Sequence, residues 1–68
     1  MPPETIAVGD TVFDIKGAAR RDLSVFQDFL ESLEGKPMYV GMVRADRTGC
    51  RWQMVEPGEW VCTDRGVG

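Results

Sequence analysis

Residues 50–63 read Cys-Arg-Trp-Gln-Met-Val-Glu-Pro-Gly-Glu-Trp-Val-Cys-Thr, and the way this stretch folds back on itself decides which of its large side chains reach an interior. Two strand-like runs, Cys50 to Val55 and Glu59 to Thr63, flank Pro57 and Gly58, the residue pair that suits the two central positions of a type II turn. A two-residue loop pairs Val55 with Trp60 and Met54 with Val61. Because side chains alternate along a strand, that register puts Trp52, Met54, Val61 and Thr63 on one face and Val55, Trp60 and Cys62 on the other. Cys50 and Cys62 then project from opposite faces, out of reach of the Cβ separation of about 4 Å that a disulfide needs. Two reduced thiols are expected.

Immediately upstream, Met38 to Ala45 reads as a third strand, joined to Cys50 through Asp46, Arg47, Thr48 and Gly49. Asp first and Gly fourth is the pattern of a type I turn followed by a left-handed residue. If Gly49 is a bulge residue, Met38, Val40 and Met42 share a face with Cys50, Trp52 and Met54; otherwise Tyr39, Gly41, Val43 and Ala45 do. The bulged register gathers the larger apolar side chains on one face and is the expected one. Connections this short imply antiparallel neighbours.

The layer that covers this face is Leu23 to Leu33, LSVFQDFLESL. At helical spacing Leu23, Val25, Phe26, Phe29, Leu30 and Leu33 fall within one arc of roughly 160°. Asp22 would sit in the middle of that arc, so the helix should begin there or at Ser24, with Ser24 and Gln27 forming a capping box. Gly35 suits a left-handed residue after the last turn, and Pro37 prevents continuation. Phe26, Phe29, Leu30 and Leu33 are expected to rest on Met42, Trp52, Met54 and Val61.

At the N-terminal side, Thr5 to Val8 and Thr11 to Lys16 are strand-like runs separated by Gly9-Asp10, a tight-hairpin signal, with the Phe13 side facing inward. The expected fold is therefore a single small α+β domain over residues 1–68, in the order β(β)αβββ, with one helix on a mostly antiparallel sheet. Residues 1–4 form a flexible lead, 17–21 a connector and 65–68 a flexible tail. Val8-Gly-Asp-Thr-Val12 resembles the lead into the first strand of SH3-like small barrels, although an amphipathic helix in mid-chain departs from that pattern, and no family is assigned.

Sixty-eight residues of which 43% are apolar suffice for a small core. The side-chain inventory then excludes much chemistry. With two Cys and no His, a four-ligand zinc site within the chain is not expected, nor is a His-dependent nucleophile. Gly35-Lys36 follows a helix and precedes Pro, unlike a phosphate loop. Asp28 and Glu31 share a helix face but read as a solvated surface and not as an acid–base pair. No cofactor, no metal and no catalysis are expected. Neither a signal peptide nor a membrane-spanning run is present, so the reading is a cytoplasmic protein with no membrane contact.

The net charge of −3 hides a segregation: residues 22–35 carry Asp22, Asp28, Glu31 and Glu34 with no cation, while Lys36, Arg44, Arg47 and Arg51 follow with only Asp46 among them. The expected function is non-catalytic binding of another protein or complex with a basic surface, through Asp28, Glu31, Glu34, Tyr39, Val55 and Trp60. An adaptor, a subunit and a small inhibitor all fit. Size and charge admit an inhibitor of the kind phages and mobile elements encode against a bacterial nucleic-acid-binding or defence complex. The alternative is nucleic-acid binding through Arg44, Arg47, Arg51 and Trp52 at the hairpin tip, against which stands a pI near 4.7. A third reading is a homo-oligomer that buries Trp60.

Overall fold

A computed structural model describes residues 4–16 and 22–63. Its elements are β1 (Thr5–Val8), β2 (Thr11–Asp14), α1 (Leu23–Ser32), β3 (Val43–Ala45), β4 (Arg51–Glu56) and β5 (Glu59–Cys62). These strands form one sheet in the order β1-β2-β5-β4-β3. Every neighbouring pair is antiparallel except β2 and β5, which run parallel. The fold is thus the expected small α+β arrangement. The expected connector and tail lie outside the described residues, as does the lead up to residue 3. Glu4 prolongs the β1–β2 ladder instead, its carbonyl accepting the Ile15 N–H at 2.8 Å.

α1 forms where the apolar spacing requires it, and buries Val25, Phe26, Phe29 and Leu33. Leu23, in the first turn, stays 48% exposed. Asp22 is the N-cap, but its side chain makes no capping bond. The expected box of Ser24 and Gln27 is not formed, because Ser24 lies inside the helix and its Oγ accepts a hydrogen bond from Arg47 Nη2 at 3.0 Å. At the other end the chain tightens: Leu33 and Glu34 donate to carbonyls three residues back, and Lys36 donates to Leu33 across Gly35 at φ 78°. A Cβ at Gly35 meets nothing within 4 Å, so the cost of Gly35→Ala is the backbone's own. It should lower stability by about 1 kcal/mol, read as an earlier urea midpoint with an unchanged slope.

The interior is aromatic. Phe13 lies at its centre, with ring centroids of Phe26, Trp52 and Phe29 at 4.6, 5.4 and 5.8 Å, and Phe29 meets Trp60 edge-on at 5.0 Å. Tilted and edge-to-face contacts of this kind add to what area burial alone supplies. Ile6, Phe13, Trp60 and Met54 stand side by side across four strands beneath the helix.

The β4–β5 hairpin differs from expectation by a single residue. Glu56 pairs with Glu59 around the two-residue loop as read, yet it is Met54 that faces Trp60, because Val55 is an extra residue in β4. An extra residue moves every side chain beyond it to the opposite face. Trp60 therefore points inward and is 1% exposed, which corrects its expected place on the open face. Val61 pairs with Gln53 and is not the helix's target; Cys62 pairs with Trp52, on the side of Cys50. The physical reason is size: the bulge admits an indole to the interior where the regular register would admit only an isopropyl group.

The stretch read as one strand from Met38 to Ala45 also divides. Met42 donates to the Tyr39 carbonyl at 3.1 Å across Gly41 at φ 98°, a turn that leaves Met38 and Val40 exposed while Met42 is buried. Gly49 takes the left-handed conformation expected of it, at φ 92°.

Candidate interaction surface

Asp46 organises the β3–β4 connection. Its Oδ1 accepts hydrogen bonds from the Thr48 N–H at 2.8 Å, the Thr48 hydroxyl at 2.5 Å and the Cys50 N–H at 3.1 Å. Its Oδ2 accepts the indole N–H of Trp52 at 2.9 Å. Burial by itself pushes the carboxyl pKa up, but the bonds from Thr48, Trp52 and Cys50 together outweigh it and hold the value below the ordinary 3.8. Sequence reasoning found the turn and missed this second role. The signal was the position of Trp52: once the bulged turn reverses the chain, its N–H lies over the turn's first side chain.

This geometry corrects the expected nucleic-acid platform. Trp52 is 0% exposed and its one donor is engaged, so it has no face on which a base could stack. Nor do the three arginines share a surface. Arg44 lies opposite Trp52 and Arg51 opposite Ala45, so their side chains leave the two faces of the sheet, while Arg47 reaches back to Ser24 on α1.

Among the residues expected to bind protein, Tyr39 and Val55 are exposed, by 60% and 38%, and Trp60 is not. The first two belong to one end of the sheet. The Gly41 N–H donates to the Met54 carbonyl at 2.8 Å, the Met54 N–H donates to Met42 at 3.0 Å, and Val43 pairs with Gln53. The 38–43 segment is thereby laid along the bulge. Met38, Tyr39, Val40, Val43 and Val55 all expose large apolar side chains there. β3 is one of the two edge strands, with no strand on its far side among the described residues.

Asp28, Glu31 and Glu34 are exposed on α1 and the turn that ends it, and the chain passes from Glu34 through Gly35, Lys36 and Pro37 directly into Met38. The acidic helix and the apolar segment are thus consecutive. A depression of about 350 Å³ elsewhere is lined by Asp14, Lys16, Val61 and Cys62. Among the described residues no three His, Cys, Asp or Glu side chains are grouped to hold a metal ion, and no helix is long and apolar enough to cross a membrane. No protein-family model matches the chain, and comparisons with curated proteins and with solved structures gave no match.

Proposed function

We propose that the chain is a non-catalytic, cytoplasmic protein-binding module that docks its β3 end on a larger protein, as an adaptor, subunit or small inhibitor. The observation that carries this reading is the exposure of Met38, Tyr39, Val40, Val43 and Val55 along the edge strand β3, the segment that leads into it and the neighbouring bulge of β4. Apolar side chains concentrated in this way, beside a polar rim, are characteristic of contact surfaces. The rim is acidic. Asp28, Glu31 and Glu34 favour a partner with Lys or Arg around an apolar hollow, including one whose basic groove otherwise holds phosphates. In that arrangement Tyr39 is the anchor, and the carboxylates govern the rate and salt dependence of association.

Photo-crosslinking with the full chain in its native cell tests the proposal. A crosslinker at position 39 or at position 55 should capture the same basic protein, whereas one at Thr5, on the opposite edge strand, should not. With that partner purified, Tyr39→Ala should weaken binding by tenfold or more, in the range of an interface anchor (~2 kcal/mol). Glu31→Lys combined with Glu34→Lys should slow association and flatten its dependence on salt. Adducts formed only with a second copy of the chain, or none above background at either position, would overturn the reading.

A further inference from the structure

The bulge at Val55 brings the two cysteines together. Cys62 pairs with Trp52, two residues from Cys50 on the neighbouring strand, and the sulfur atoms lie 2.9 Å apart. Both are thiols. Cys50 is buried, whereas Cys62 is half-buried on the wall of the depression shared with Asp14, Lys16 and Val61. The geometry points to a reversible disulfide between Cys50 and Cys62, formed by exchange with a small-molecule disulfide such as glutathione disulfide.

The accessible partner reacts first. The Cys62 thiolate attacks one sulfur of glutathione disulfide, making a mixed disulfide and expelling a glutathione thiolate. Cys50, already in contact, releases its proton and attacks the Cys62 sulfur; the Cys50–Cys62 bond forms and a second glutathione thiolate leaves. Two protein thiols are oxidised, one glutathione disulfide is reduced to two thiols, and the protons released by the cysteines end on glutathione. The bond closes a loop that contains the bulge and the Pro57-Gly58 turn. In the unbulged register Cys62 would face away from Cys50, so the bond can close only when Trp60 is inside. Oxidation thus locks the register of the hairpin.

The test uses the purified full chain, equilibrated with glutathione buffers of rising disulfide content, quenched in acid, alkylated and weighed. Both cysteines should lose alkylation together, in a monomer lighter by two hydrogens. Its melting temperature should rise by about 10 °C and return on treatment with dithiothreitol. Cys50→Ala should instead accumulate one glutathione adduct on Cys62. Cys62→Ser, which leaves the buried site intact, should show neither closure nor the gain in melting temperature. Two thiols that still alkylate, glutathione adducts on each cysteine without closure, or disulfides formed only between chains would each overturn the inference.

Discussion

Asp46→Ala is expected to remove a large share of the chain's stability at 25 °C. The substitution removes the acceptor for the Thr48 backbone and hydroxyl, the Cys50 N–H and the Trp52 indole N–H at one stroke. The last two donors are buried, and an unsatisfied buried donor costs about 1–3 kcal/mol. A loss of roughly 3–5 kcal/mol follows, against a total stability of about 3–10 kcal/mol for a chain of this length. Asp46→Asn keeps one carbonyl oxygen but sets its amide N–H₂ against either the indole or the turn donors, so it should fall between the two, about 1–3 kcal/mol below the parent. The pH dependence distinguishes lost charge from lost shape. The folded pKa lies below the unfolded 3.8, so the stabilisation is present in full above the unfolded value and is lost as pH falls through the folded one. Urea melts from neutral pH downward should therefore show the gap between parent and Asp46→Asn narrowing once the medium is more acid than about pH 4. A gap that stays constant would assign the effect to packing alone.

Trp60→Ala is expected to cost about 3–5 kcal/mol, because the indole is 1% exposed and lies edge-on to Phe29. Val61→Ala, one residue on, should cost less than about 1 kcal/mol, since Val61 faces Gln53 and Asp14 on the side of the sheet away from the helix. The ranking depends on the bulge. Without the extra residue at Val55 the two side chains would exchange faces, and Val61→Ala would become the damaging change. Near-ultraviolet circular dichroism of Val61→Ala should keep the aromatic signal, while Trp60→Ala should lose it with the melt.

What the sequence made legible follows from how local each signal is. The helix could be placed from the spacing of Val25, Phe26, Phe29 and Leu33, because one-sided burial acts within a few turns. The Asp46–Gly49 turn was equally plain, since a side-chain acceptor and a left-handed glycine act within four residues. The Val55 bulge was not legible. It reflects a competition between Trp60 and Val61 for a place against Phe29 on the helix, a contact between segments about thirty residues apart that no window on the hairpin contains. The parallel pairing of β2 with β5 escaped for the same reason, its two strands being separated in the chain by the helix, β3 and β4. The first omission bears on the candidate surface: the bulge takes Trp60 out of it and leaves Val55 exposed.

The sheet order has a consequence for biosynthesis. β5 is the last strand among the described residues, yet it lies between β2 and β4 and is the strand through which the β1–β2 hairpin is hydrogen-bonded into one sheet with the β3–β4 hairpin. Until residues 59–62 leave the ribosome, each hairpin presents an open edge, and Phe13, Trp52 and Met54 lack the Trp60 that stands among them. A nascent chain in that condition offers two edges for mispairing. Closure of the sheet is then a late event made by a four-residue strand, and a stop or frameshift just before Glu59 should yield two hairpins with no strand between them, bound for degradation instead of a shortened but working domain.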